Sequence, residues 1–165
     1  MRKINQEIFS RPPYFPMMYD IQDKNILIVG GGHVGARRAE TLLRCGAKIT
    51  AVSPSFCEEF PEGVRRVQRT FKISDLELEE KIFFIVAATN DREVNKKISE
   101  AAHEKKIPVN VCDSQSECDF FFPSLISHGA FGVSVCSAGR SISLTKKFSD
   151  FLRKILPAWI KNYES

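Results

Sequence analysis

No run of about 18 apolar residues occurs anywhere in the chain, which excludes a membrane-spanning helix of ordinary length. The opening residues, MRKINQEIFSRPPYF, lack the apolar core of a secretory leader, so none is expected. Cysteines stand at 45, 57, 112, 118 and 136, and no two have Cys-x-x-Cys spacing. Their odd number and this spacing argue against a disulfide framework or a zinc knuckle, and a reducing cytoplasm is the expected setting. Histidine is scarce, at positions 33, 103 and 128 only. No pair among His33, His103, His128, Cys112 and Cys118 has ligand spacing on one helix face, and Cys112 falls in what reads as a buried strand, so no metal centre is expected. Like charges do not cluster either: 24 Lys and Arg against 20 Asp and Glu leave a net +4 spread along the chain. This mild basicity suits an anionic small molecule, and neither nucleic acid nor membrane is expected as a partner. Internal repeats and low-complexity tracts are absent.

What is present is enough to fill a core. Of 165 residues, 43% are hydrophobic and 27% charged, the balance of a globular domain or of one domain with an appendage. The 13 phenylalanines gather in KIFFIVAA and CDFFFPS. Residues 1–20 are punctuated by Pro12, Pro13 and Pro16 and read as an irregular lead-in. Beyond them, strands and helices alternate. NILIVG (25–30) is a buried strand, and a helix follows from Gly32 to about Cys45, stopped by Gly46. AKITAVS (47–53) is a second strand, VRRVQRTF (64–71) an outer one, and KIFFIVAA (81–88) a buried one, with short helices between. Residues 90–106 read as a helix capped by Asn90 or Asp91, and IPVNVCD (107–113) as the last strand, with Pro108 near its start. The fold class expected is α/β: a Rossmann-like, doubly wound parallel sheet over residues 1–113, lead-in included.

After Asp113 the pattern changes. Two apolar runs flank SHGAFG, and a helix from about 141 to 156 ends near Pro157. Its candidate apolar face is Ile142, Leu144, Phe148, Phe151, Leu152 and Ile155. A hairpin and one helix bury little alone, so residues 114–165 are expected to be a small α+β segment that pairs with a second copy in a homodimer.

ILIVGGGHVGARRAE contains Gly30-x-Gly32-x-x-Gly35 between a buried strand and a helix, where a dinucleotide fingerprint belongs. In that reading Gly30 makes the turn, Gly32 admits the pyrophosphate, and Gly35 lets helix and strand pack closely. The helix start, His33 and Val34, then offers backbone N–H groups to phosphate. No acidic residue ends the second strand, and Ser53 is the nearest candidate for the ribose hydroxyls. A hydroxyl does not repel a 2′-phosphate, so these residues leave NAD and NADP both open. Ala88 and Thr89, at the end of the 81–88 strand, are small enough to lie beside a cofactor, though Thr there also serves as part of a cap. Asp113 ends the last strand and should face the same crevice, where a carboxylate can move a proton; an Asp at that place also serves as a turn residue.

In order, YFPMMYDIQDKNILIVGGGHVGARRAE, VAATND, IPVNVCD and DFFFPSLISHGAFGVSVCSAGRS resemble the precorrin-2 dehydrogenase family, which includes the amino-terminal part of siroheme synthase. The resemblance spans about residues 14–157. It implies oxidation of precorrin-2 to sirohydrochlorin with NAD⁺ as hydride acceptor and, in some members, Fe²⁺ insertion. It implies that Asp113 is the key residue for both steps and that Ser137 lies near the tetrapyrrole. Ser137 also reads as a turn residue before a helix. For the substrate's carboxylates the candidates are Arg37, Arg38, Arg140, Lys146 and Lys147. Many members continue into a further helical region, and some into a methyltransferase domain; this sequence ends at Ser165, and Fe²⁺ insertion stays an open expectation. Two other readings compete: a nucleotide-sensing regulatory module, and a tetrapyrrole- or metal-binding protein without catalysis. The first usually carries an acid after strand two and has no reason for NVCD followed by FFFPS.

Overall fold

The computed structural model describes residues 15–129, 131–137 and 141–162. The N-terminal lead-in through residue 14 and Arg140 lie outside them. The run NILIV forms β1 (Asn25–Val29), whose last four residues are buried. Its alternate residues serve opposite faces of the sheet, as a strand covered on both sides requires. Ile26 and Ile28 pack with Ala36, Ala39 and Leu42 of α1 (His33–Arg44). Leu27 and Val29 pack with Ile98, Ala101 and Ala102 of α2 (Arg92–Glu104).

The other strands are β2 (Lys48–Ser53), β3 (Arg65–Gln68), β4 (Ile82–Ala87) and β5 (Val109–Val111). They form one five-stranded sheet in the order β3-β2-β1-β4-β5, and every pairing is parallel. The chain leaves β1 toward one edge and later returns through β4 to its other side. That reversal opens a crevice beyond the carboxyl ends of β1 and β4, where ligands bind in such sheets. β3 is the outer strand expected, and its residues are mostly exposed.

The structure corrects several boundaries. No helix forms between β2 and β3; residues 54–64 run through turns held by Cys57 N–H to Gly31 C=O (2.8 Å) and Phe60 N–H to Cys57 C=O (3.1 Å). The expected short helix before β4 is a 3₁₀ turn at Ile73–Glu77. β5 has three residues rather than seven, so Cys112 lies beyond the strand and is exposed. An antiparallel hairpin follows, β6 (Ser124–His128) with β7 (Phe131–Val135), and then α3 (Ile142–Lys161). α3 runs on past Pro157 to Lys161, because Ile160 is buried and anchors the final turn. No described helix is long and apolar enough to cross a membrane.

One buried charge pins the connection before β4. Asp75 is 1% exposed and accepts hydrogen bonds from Arg69 Nη1 and Nη2 at 2.8 and 2.6 Å and from the Lys72 amide at 2.8 Å. Burial alone would raise its pKa; the Arg69 and Lys72 contacts outweigh it and hold the carboxyl below its usual 3.8. A depressed folded-state pKa means stability that is present above the unfolded value and lost as pH falls through the folded one. Asp75→Asn should therefore cost about 1–3 kcal/mol at neutral pH in urea unfolding. The gap from the parent should narrow below the usual carboxyl value of 3.8.

Candidate functional site

At the crevice lies a cleft of about 440 Å³, lined by Gly32, His33, Val34, Ala88, Thr89, Asn90, Cys112 and Asp113. Six of these were expected from the sequence; Asn90 and Cys112 were not. Gly30 and Gly35 lie beneath the cleft rather than in it. Gly30 has φ +121°, and a Cβ there would sit 2.2 Å from the Ala88 carbonyl oxygen. A Cβ on Gly35 would sit 2.2 Å from the Gly30 carbonyl oxygen. These two glycines thus let β1, α1 and β4 meet closely. Gly32 differs: a Cβ there would meet nothing within 4 Å. It borders the open space a ligand backbone would occupy.

The middle glycine, Gly31, is only a spacer in the Gly-x-Gly-x-x-Gly pattern, but the structure needs it. Its Cβ would lie 2.1 Å from the Ser55 carbonyl oxygen and 2.9 Å from Ser53 Oγ. Ser53 is therefore buried under the loop, and the structure does not bring it into the cleft.

The start of α1 is open to an anion. α2 is capped by Asp91, which accepts from the Glu93 and Val94 amides. α3 is capped by Ser141, which accepts from the Leu144 amide. α1 has Gly32 at its cap position, no side-chain cap and no acidic residue in its first turn. Its leading N–H groups and its dipole point at the cleft without a protein partner of this kind, the arrangement that holds phosphate.

Asp113 stands in the turn after β5 and is placed by side chains from α2. Its Oδ2 accepts from Asn95 Nδ2 at 2.9 Å, and its Oδ1 lies 3.4 Å from Arg92 Nη1. Arg92 also binds Glu117 through Nη2. That hydrogen bond, then the charges of Glu117 and Asp113, raise the Arg92 pKa and keep the guanidinium firmly charged. Asn95 is fully buried and uses both ends of its amide. Its Oδ1 accepts from the Thr89 amide (3.1 Å) and hydroxyl (2.8 Å), and its Nδ2 also donates to the Thr89 carbonyl (3.0 Å). Thr89 thus borders the cleft while its hydroxyl is tied into this network. Through Asn95, the end of β4 and the carboxylate beyond β5 are held as one piece. Asn95→Ala would leave the half-buried Thr89 amide without this partner and release Asp113, at a cost of about 1–3 kcal/mol in thermal or urea unfolding.

Beside Cys112, Arg38 of α1 lies 4.3 Å from the Phe122 ring centroid. Its Nε is buried and makes no hydrogen bond to the described residues. Partial loss of hydration lowers the Arg38 pKa and pushes up that of the neighbouring Cys112 thiol against the pull of the guanidinium. Ser137 lies elsewhere, at the start of α3. Its hydroxyl donates to the Ser141 carbonyl (3.2 Å) and accepts from Thr145 Oγ1 (2.8 Å), so the structure does not bring it to the cleft.

Residues 17–124 match the model of a family described as NAD(P)-binding. The solved structure of SirC, precorrin-2 dehydrogenase, superposes with a TM-score of 0.69 at 31% identity, covering 86% of this chain and 70% of that one. The chain belongs to the precorrin-2 dehydrogenase family. Siroheme synthase of Nitrosospira multiformis is 37% identical over 87% of this chain, and that of Nitrosomonas eutropha 38% over 88%. The chain spans about a third of each of these relatives, 32% and 31% of their lengths. NAD(P) binding is thus a property of the chain, and the cleft fits it: an uncapped helix start, an open Gly32 and buried glycines that shape the loop. Within this precorrin-2 dehydrogenase relative, Asn95 and Arg92 are the site residues that sequence reading missed. The only local trace of Asn95 was a polar residue beside Val94 and Ile98 on the inner face of an amphipathic helix.

Proposed function

We propose that this chain oxidises precorrin-2 to sirohydrochlorin with NAD⁺. The observation that carries the proposal is that one cleft joins the uncapped start of α1 to the Asp113 carboxylate. Bound NAD⁺ supplies a hydride acceptor. The helix start and Gly32 would hold its phosphates; Ala88 and Thr89 line the same cleft, and Ser53 lies under the loop. Asp113 accepts the proton that must leave the tetrapyrrole when hydride is removed. Asn95 and Arg92 keep that carboxylate aimed into the cleft. Arg38, half-buried beside the cleft residue Cys112, suits a carboxylate of the substrate, with Arg140 as a further contact carried over from the resemblance. The same Asp113 could take pyrrole protons if Fe²⁺ enters as a second substrate.

The test mixes the protein with precorrin-2 and NAD⁺ and follows absorbance. NADH and sirohydrochlorin should appear together; neither appearing would refute the enzyme reading in favour of a sensor or binding protein. Supplying Fe²⁺ or Co²⁺ with sirohydrochlorin then asks for metal insertion separately.

The proposal divides the chain into a nucleotide-binding unit (1–113) and a dimerisation segment (114–165) in a cytoplasmic homodimer. Cys45, Cys57, Cys112 and Cys118 are free thiols, which supports a reducing compartment. α3 supports the dimer: Ile142, Leu144, Phe148, Phe151 and Ile155 are all exposed, with Phe151 at 53%. Such a face needs a partner, and a second copy is the simplest. Phe151→Glu should raise the dimer dissociation constant by roughly two orders of magnitude in analytical ultracentrifugation, since a two-fold interface loses the contact twice.

A further inference from the structure

We propose that His33, Cys57 and Glu59 form a binding site for one divalent cation of the zinc class. One donor atom from each residue lies within 4.8 Å of the other two. His33 Nδ1 is 3.4 Å from Glu59 Oε2, and Cys57 is a half-buried free thiol. The two segments are already joined, because the Cys57 amide donates to the Gly31 carbonyl at 2.8 Å. The two backbone segments that carry the ligands are therefore held side by side, although the His33 and Glu59 side chains themselves are exposed.

Nitrogen, sulfur and oxygen together suit Zn²⁺ or Co²⁺; Mg²⁺ and Ca²⁺ take oxygen alone. Three protein ligands leave a fourth tetrahedral position open to water or to another donor. The position at a helix start disfavours a bare cation. Here the thiolate and the carboxylate cancel the two positive charges, so that objection falls. The competing use of these groups, an exposed His–Glu pair, is worth little and is easily displaced.

His33 also lines the nucleotide cleft, so the cation sits at its rim. A bound cation adds positive charge beside the phosphate-binding loop, which favours NAD⁺, and by linkage NAD⁺ favours the cation by the same factor. This coupling rests on the nucleotide-binding reading; cation uptake itself does not.

Metal-free full-length protein titrated with Co²⁺ should take up one equivalent. A thiolate-to-cobalt charge-transfer band and the intense visible bands of four-coordinate cobalt should appear, and Zn²⁺, but not Mg²⁺, should bleach them. Cys57→Ser should remove the charge-transfer band, and Cys45→Ser should keep it. His33→Gln and Glu59→Gln should each weaken Co²⁺ binding at least about tenfold. Circular dichroism and thermal melts check that each variant is folded. No stoichiometric uptake, or a charge-transfer band that survives Cys57→Ser, overturns the site. Zn²⁺ should also tighten NAD⁺ binding severalfold in the parent and not in Cys57→Ser; equal NAD⁺ affinity with and without Zn²⁺ in the parent overturns the coupling alone.

Discussion

Asp113→Ala should lower precorrin-2 oxidation by about two to four orders of magnitude, the usual worth of a positioned general base. NAD⁺ affinity, measured by calorimetry, should not change. The separation follows from the geometry: Asp113 lies past β5, whereas the phosphate-binding groups lie past β1. Asp113→Asn sharpens the test. The amide oxygen can still accept from Asn95, and only the long, exposed contact to Arg92 is given up. It cannot accept the proton, so turnover should fall about as far while the thermal melt stays near the parent's. If Asp113→Asn retained activity, the carboxylate would be a positioning group and not the base. If either variant lost NAD⁺ binding, Asp113 would belong to the cofactor site.

A comparable contrast separates two glycines two residues apart. Gly32→Asp should leave the fold intact, because a Cβ there meets nothing within 4 Å. It should weaken NAD⁺ binding roughly a hundredfold or more, since like charges brought together near a protein surface cost several kcal/mol. Gly30→Ala should do the opposite kind of harm. Its φ of +121° is closed to alanine, and its Cβ would overlap the Ala88 carbonyl oxygen at 2.2 Å. The penalty should be about 3 kcal/mol or more, visible as a large fall in melting temperature. NAD⁺ added in excess should recover part of that loss in Gly30→Ala, by mass action, and should raise the melting temperature of Gly32→Asp far less than the parent's. Normal NAD⁺ affinity in Gly32→Asp would mean that the loop does not hold the phosphates.

Much of this was legible in the residues alone. A buried β-branched run, a glycine turn and an amphipathic helix are signals local to a dozen positions, and they located β1, the loop and α1 to within a residue or so. Alternation of such units implied the doubly wound sheet, and the end of the last strand pointed to Asp113. Boundaries failed where a distant contact decided them. Pro157 reads as a stop, yet buried Ile160 carries α3 past it. Cys112 reads as strand, yet β5 ends at Val111.

The sequence by itself determined the class of fold, the place of the glycine loop and that of a carboxylate beyond the last strand, because hydrophobic period and glycine chemistry act between near neighbours. Only the tertiary structure decided which side chains meet at the site. Asn95 reaches Asp113 across 18 positions and His33 reaches Cys57 across 24, because parallel strand order, not sequence distance, sets what the crevice gathers.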